Sequence, residues 1–494
     1  MRSAYDVEQI RAAEAPLLAS LPDGTLMQRA ATALARRCAA LLPAVYGGRV
    51  VLLVGSGDNG GDALFAGARL ARRGCRVDAV LAADRAHEAG LAALLQSGGR
   101  AAAPDERTGD LLAAADLVVD GLLGIGGTGG LRPPYARLAE QAADGGAVVV
   151  AVDVPSGVDA STGAVAGAAM RADVTVTFGG IKTGLVVAPG AEHAGLVELV
   201  DIGLTLPPAT TTLLDAADVA GLLPRPPAET DKYRRGVLGV VAGSDTYPGA
   251  AVLATGGALA TGPGMVRFAG TSRPAELVRQ RWPEAIVTSI DPGDGDGGVG
   301  QRLLGIGRVQ AWTVGSGLGT DPAAAAVVAA VLGTDLPVLV DADALTVLAD
   351  HPEWVRDRAA PTLLTPHAGE FARLAGADRV DVEAHRLDHV RRLAADVGAT
   401  ILLKGSTTLI ASPDGAVRVN TAQTPYLATA GSGDVLSGVC GALLAGGLDA
   451  ADAGAVGAFL HGLAGLVAAG DPAVPVTAVD ILTSVPSAIR AVRG

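Results

Sequence analysis

The run Thr429-Ala430-Gly431-Ser432-Gly433-Asp434-Val435-Leu436-Ser437-Gly438 decides how this chain is read. Two glycines permit a tight turn and a close backbone approach to a ligand. The small apolar residues from Val435 to Ala445 predict a buried helix behind the turn. A glycine turn that opens a helix aims unpaired N–H groups at one point, where the helix dipole favours an anion. A carboxylate repels an anion, so Asp434 needs another task there. Taking a proton from a hydroxyl while the N–H groups hold phosphate charge is one that fits. The simpler alternative is that Ser432 or Asp434 caps the helix.

Working outward, the residues before this run repeat a strand followed by a polar loop. Gly239-Val240-Val241-Ala242-Gly243-Ser244 leads to Tyr247-Pro248-Gly249-Ala250-Ala251, which opens a small-residue helix. Trp312–Gly319, Val338–Leu345, Thr365–Glu370 and Ile401–Thr408 follow the same pattern. In an open parallel sheet such loops gather outside the carboxyl ends of the strands, where ligands bind. A lone histidine such as His367 is more often a packing or capping residue than a catalytic one. Lys404, after an apolar strand, reads better as a phosphate or adenosine contact than as a surface lysine.

Pro366-His367-Ala368-Gly369-Glu370, Lys404-Gly405 and the Gly431–Gly438 run, in that order, resemble the ADP-dependent NAD(P)HX dehydratases, the YjeF C-terminal domain, over residues 230–494. Ser432 replaces the usual threonine and keeps the hydroxyl. The resemblance implies a ribokinase-like fold. It implies hydrate contacts at Ala251, Gly317, His367 and Asp434, and nucleotide contacts at Lys404, Gly405, Ser406, Thr407, Thr408 and Gly433. ADP is the expected phosphoryl donor, with Mg²⁺ accompanying it. Hydroxide is a poor leaving group, so phosphorylating the ring hydroxyl and then eliminating phosphate would restore NAD(P)H and release AMP. Asp434 is the expected base and the glycine turn the expected phosphoryl clamp.

The first half is organised similarly. Residues 6–42 read as two helices broken at Pro22-Asp23-Gly24-Thr25. Arg49–Val54 reads as a buried strand, Gly55-Ser56-Gly57-Asp58-Asn59-Gly60-Gly61-Asp62 as a glycine-rich loop, Ala63–Arg73 as a helix and Arg76–Leu81 as the next strand. The loop formally matches Gly-x-Gly-x-x-Gly, but Asp58 and Asp62 are poor neighbours for a pyrophosphate. Leu117-Val118-Val119-Asp120 and Val148-Val149-Val150-Ala151-Val152-Asp153 end in acids that open polar loops, and Val174–Thr177 is a further strand. Asn59, Asp62, Asp120, Asp153 and Ser156 should therefore converge on one crevice. Oxygen donors without Cys or His suit a hard cation.

Residues 49–190 resemble the NAD(P)HX epimerases, the YjeF N-terminal domain, through Gly55–Asp62, Asp120–Gly130, Asp153–Gly157 and Phe178-Gly179-Gly180-Ile181-Lys182. That family interconverts the C6 epimers of hydrated NADH or NADPH. The resemblance implies K⁺ at Asn59, Asp120 and Ser156. It implies substrate contacts at Asp58, Asn59, Gly60, Gly61, Asp62, Gly124, Ile125, Gly126, Gly127, Thr128, Gly129, Gly130 and Asp153, with Asp153 as the proton-transfer group. Asp58 and Ala63 depart from the family pattern, which has Asn and Gly there; the extra acid adds negative charge beside a dinucleotide.

At 494 residues the chain has room for two or three domains. The Pro- and Thr-rich segment 204–231 reads as a linker, dividing residues 1–210 from 211–494. The expected fold is α/β throughout: an N-terminal Rossmann-like, doubly wound parallel sheet and a C-terminal ribokinase-like domain. A net charge of −13 with no basic block argues against nucleic acid. Cys38, Cys75 and Cys440 lie far apart, the pattern of a reduced cytoplasmic protein. Met1–Ile10 is too polar for a signal peptide, and the apolar stretch near 435–445 is too short to span a bilayer. The expected partners are hydrated NADH or NADPH and ADP, in a homo-oligomer. The competing assignment is a ribokinase-class kinase for a small alcohol with a non-catalytic N-terminal binding domain, which leaves Asn59, Asp120 and Ser156 unexplained.

Overall fold

A computed structural model describes residues 1–127, 129–291, 298–421 and 424–494. It divides into two compact units. One is Ser3–Thr211 with Ala384–Leu387; the other is Thr212–Glu383 and Asp388–Gly494 with Met1–Arg2.

The first unit is built on seven parallel strands in the order Arg100–Ala102, Arg76–Leu81, Arg49–Val54, Leu117–Gly121, Val148–Val152, Val174–Phe178, Leu196–Val200. The chain winds one way from Arg49–Val54 and the other way from Leu117–Gly121, so the crevice between these two strand ends is the topological switch point. Val and Leu runs suit strands covered on both faces. Val50, Leu52 and Val54 pack into one core with Leu34 and Leu64. Val51 and Leu53 pack into the opposite core with Leu138. The period of two thus feeds two helical layers, and each fully buried Leu or Val contributes roughly 1.5–3 kcal/mol. A short parallel pair, Ala4 with Ile181 and Tyr5 with Lys182, fixes the segment that carries Lys182.

The second unit orders its strands Ile286–Ser289, Met265–Gly270, Val237–Val241, Ala311–Val314, Val338–Val340, Thr362–Leu364, Thr400–Leu403, all parallel. The hairpin strands Thr408–Ala411 and Val417–Asn420 continue the sheet antiparallel. Its switch point falls between Val237–Val241 and Ala311–Val314. Helix Ser432–Ala445 packs through Val435, Val439 and Leu443 into the same core as helices Pro248–Thr261 and Ala450–Ala469. Gly438 makes the close approach possible: a Cβ there would lie 2.1 Å from the Ala254 carbonyl oxygen. Among the described residues, Ala450–Ala469 is the one helix long and apolar enough to cross a bilayer, and 67% of its apolar window is buried against the rest of the unit.

Two helices begin earlier than the sequence pattern predicts. Asp58–Arg72 takes in residues expected in the glycine loop, and Ser432–Ala445 takes in Ser432, Gly433 and Asp434. Both first turns carry an acid, which the helix dipole favours, while their polarity hides them from an apolar-periodicity reading. The N-cap of the second helix is Gly431, at φ +84 with no side-chain cap. The capping role considered for Ser432 or Asp434 is therefore not the one they have. The 204–231 segment also holds strand Thr211–Leu213 and helix Ala216–Leu222, the latter capped by Asp215.

Candidate functional site

The first unit gathers its oxygen donors at the switch point. Asp120 is fully buried at the end of its strand. Its Oδ2 accepts from the Ser156 N–H at 2.8 Å, and its Oδ1 from the Ser156 hydroxyl at 2.6 Å and the Leu122 N–H at 3.3 Å. Asn59 Nδ2 donates to the carbonyl oxygens of Val152 (2.5 Å) and Leu123 (3.2 Å). Asn59, Asp120 and Ser156 thus come together, joined by two carbonyls whose presence no side-chain pattern could signal. Burial pushes the Asp120 carboxyl up to about 6, opposed by the hydrogen bonds from Ser156 and Leu122.

Asp153 follows the next strand at φ +68, an unusual conformation for a non-glycine residue and one that re-aims the side chain. Its Oδ1 accepts from the Thr177 hydroxyl (3.1 Å), the Phe178 N–H (3.1 Å) and the Lys182 ammonium. Lys182, 1% exposed, donates as well to the Phe178 carbonyl at 2.8 Å and to Thr177 at 3.1 Å. Three donors and three partners leave this ammonium fully engaged. Asp62 differs. It is 7% exposed and its Oδ1 has no hydrogen-bond partner. Burial holds its carboxyl well above the usual range, reinforced by the charges of Asp153, Asp58 and Glu14.

These groups line a cleft of about 690 Å³ that includes Glu14, Asp58, Asn59, Asp62, His87, Ile125, Asp153 and Lys182. Gly60 and Gly61 are buried in the first turns of helix Asp58–Arg72. Gly124, Gly126, Gly127, Gly129 and Gly130 sit on the loop after Leu117–Gly121, the loop whose Ile125 lines the cleft. Thr128 lies outside the described residues. Glu14 and His87 escaped the sequence reading because each sits on a helical segment with ordinary polar periodicity.

In the second unit the strand ends carry a denser network. Asp341 is 2% exposed; its Oδ1 accepts from Lys404 Nζ at 2.9 Å and its Oδ2 from the Ser437 hydroxyl. Lys404 Nζ also lies 3.8 Å from Glu370 and 3.6 Å from where a Cβ on Gly433 would stand. The ammonium is thereby held over the first turn of helix Ser432–Ala445, whose early N–H groups lack intrahelical partners. Burial opposes the charge on Lys404, but Asp341, Glu370 and Asp434 outweigh it and raise its pKa. Asp434, half-buried in that first turn, is pushed up to about 6 by burial and by Asp341, while the neighbouring Ser316 and Lys404 pull it back.

His367 caps helix Ala368–Ala375: its Nδ1 accepts from the N–H groups of Gly369 (3.0 Å) and Glu370 (3.2 Å), and its imidazole remains 61% exposed. Glu370 closes the box on the His367 N–H at 2.8 Å and so links His367 to Lys404. Gly317 occupies the turn after Ala311–Val314, against Tyr247 and Ala250. Ala251 is fully buried in helix Pro248–Thr261. Gly405 and Ser406 are exposed beside Lys404, whereas Thr407 and Thr408 turn into the interior. His461, absent from the sequence reading, sits with Nε2 3.1 Å from the Ser432 hydroxyl and 3.0 Å from its carbonyl; burial holds it down at about 4. A separate hollow of about 340 Å³ near Leu318 is bounded by Ser244, Thr271, Asp291 and Val327.

Comparison with known proteins bears on both sites. A family model described as NAD(P)H-hydrate dehydratase matches residues 238–487. One described as YjeF-related protein N-terminus matches residues 23–184. A bifunctional NAD(P)H-hydrate repair enzyme Nnr of Mycobacterium tuberculosis is 53% identical over 92% of this chain and 92% of its own. The protein of the same name from Mycobacterium leprae is 50% identical over 99% and 100%. A Bacillus subtilis ADP/ATP-dependent NAD(P)H-hydrate dehydratase, co-crystallised with ATP and Mg²⁺, is 28% identical with a TM-score of 0.50, covering 57% of this chain and 98% of that one.

Proposed function

The chain belongs to the bifunctional NAD(P)H-hydrate repair enzymes, with an epimerase and a dehydratase domain, and we propose how its residues divide that work. Residues 1–210 carry epimerisation of the R and S hydrates, and residues 211–494 carry nucleotide-dependent dehydration of the S hydrate. The observation that carries the dehydratase assignment is Asp434 in an uncapped first helical turn beside Lys404.

In the dehydratase site Asp434 takes the proton of the ring hydroxyl as that oxygen attacks the terminal phosphorus of ADP. The first-turn N–H groups around Gly433, with Lys404, receive the charge on the transferring phosphoryl. The P–O bond to AMP breaks, and the new phosphate ester then leaves as inorganic phosphate, restoring the dihydropyridine ring. Gly405 and Ser406 border the nucleotide; His367 and Gly317 border the hydrate. Asp341 and Glu370 are already shared with Lys404, so an Mg²⁺ would be held chiefly by the nucleotide phosphates rather than by these acids, and would neutralise phosphoryl charge there. ADP is the donor assigned here.

In the epimerase site Asp153 handles the proton at the C6 hydroxyl, held by Lys182. Asn59, Asp120 and Ser156, with the Leu123 and Val152 carbonyls, form an oxygen-only set around a buried carboxylate that fits K⁺. Asn59 would join that set with its amide turned so that Oδ1, in place of Nδ2, faces a cation shared with the two carbonyls. Bound there, K⁺ would neutralise Asp120 and order the loops of the cleft.

The test is an assay of each purified epimer with ADP or ATP, with and without K⁺. The S hydrate with ADP should give NAD(P)H, AMP and phosphate, and the R hydrate should follow at a K⁺-dependent rate. A stable phosphorylated product without NAD(P)H would overturn the reading in favour of a small-molecule kinase.

A further inference from the structure

Two carboxyls face the epimerase cleft in opposite settings. Asp153 is bound by Lys182, Thr177 and the Phe178 N–H. Asp62, on helix Asp58–Arg72, is buried with an unpartnered Oδ1 and lines the same cleft. A carboxylate held in an ion pair and a buried carboxyl left without a partner suit opposite duties, one as base and the other as acid.

We propose that Asp62 is the general acid of the epimerase site and Asp153 its base, an inference that rests on the epimerase reading above. The C6–O bond of the hydrate breaks, its electron pair goes to oxygen, and the Asp62 proton converts the leaving hydroxyl to water. The N1 lone pair forms the N1=C6 iminium. Water then adds to the other face of C6, the π pair returns to N1, and the Asp153 carboxylate takes the proton of the adding water. The reverse turnover uses the same pair with roles exchanged, so no co-reactant is needed.

The surroundings of Asp62 support a neutral acid. Asp58 lies on its own helix, Glu14 and Arg11 on helix Val7–Ser20, and His87 at the cap of helix Glu88–Gln96, with Asp153 and Lys182 across the cleft. Acids predominate, and Lys182 is engaged by Asp153, Thr177 and Phe178. Burial and the nearby negative charges accordingly keep the Asp62 proton on.

The test uses the full chain and the R hydrate, followed chromatographically without nucleotide. Asp62→Asn, which keeps shape but has no acidic proton, should slow epimerisation about 10²–10⁴-fold and abolish the fall in rate at alkaline pH. Asp62→Glu should recover both. Epimerisation by Asp62→Asn near the wild-type rate, with the wild-type pH profile, overturns the assignment. Should Asp62→Asn not fold, infrared difference spectroscopy of the wild type against Asp62→Glu decides: a protonated carboxyl band above neutral pH that moves with the substitution supports Asp62, and its absence overturns it. An inactive wild type would instead bring down the epimerase reading itself, and the acid role with it.

Discussion

Asp153 with Lys182 and Asp434 with Lys404 are the same two residue types arranged to opposite ends. In the first unit the lysine is bonded to Asp153 and sealed from water. In the second the lysine bonds Asp341 instead, leaving Asp434 to titrate near 6 and the ammonium over an open helix start. A carboxylate locked in an ion pair and one raised by burial do different chemistry. The partner of the lysine, rather than the presence of a lysine and an acid, is what separates the two sites.

The sharpest way to break this comparison is Asp434→Asn. It should lower kcat for S-hydrate dehydration by about 10²–10⁴-fold and leave epimerisation untouched, as steady-state assays of each reaction would record. With Asp434 at about 6, wild-type dehydration should also fall roughly tenfold per pH unit once the pH drops well below 6, since protonation removes the base. Turnover near wild type in the variant would dissolve the contrast.

A second difference is acid sensitivity. His461 binds its proton less readily folded, at about 4, than its ordinary 6.5. The unfolded chain therefore takes up the proton first, so stability is intact above about 6.5 and is lost as pH falls towards 4. The full loss is on the order of 3 kcal/mol at most. Trp282, Trp312 and Trp354 all lie in the second unit, so their fluorescence in denaturant titrations reports that unit alone. His461→Gln should flatten the dependence.

Cation response should divide the units the other way. Asp120, at about 6 folded against an ordinary 3.8, disfavours its own charged form, so its burial costs stability above about pH 6 and little below 4. K⁺ should offset on the order of 1–2 kcal/mol of that cost at pH 8 and much less at pH 4. Slower hydrogen exchange in strand Leu117–Gly121 on adding K⁺ would register it. Asp120→Ala should remove the response while dehydration of the S hydrate continues.

The smallest effect is expected at Asp58, which is exposed at the cleft edge. One solvent-screened repulsion with a dinucleotide is worth about 1 kcal/mol or less. Asp58→Asn should tighten hydrate binding a few-fold at low ionic strength and less with added salt, by calorimetric titration. Equal affinity at both ionic strengths would show that Asp58 does not face the ligand.

Composition and strand patterning were enough to read an α/β chain, because buried parallel strands declare themselves as Val and Leu runs and their polar loops follow directly; the two repair activities came from the family resemblance that the motifs carry. The placement of Asn59, Asp120, Ser156, Asp434 and Lys404 was legible for the same reason: each follows such a run or opens the helix after it. Other features were decided only by tertiary structure. Ala251, Thr407 and Thr408 turn inward, the Leu123 and Val152 carbonyls enter the oxygen set, Glu14 and His87 line the cleft, and Lys404 pairs with Asp341 across 63 positions of sequence. The physical reason is that linear order conveys residue type and local periodicity. Burial and through-space charge, which set the acidity of Asp62, Asp120 and Asp434, exist only once distant segments enclose them.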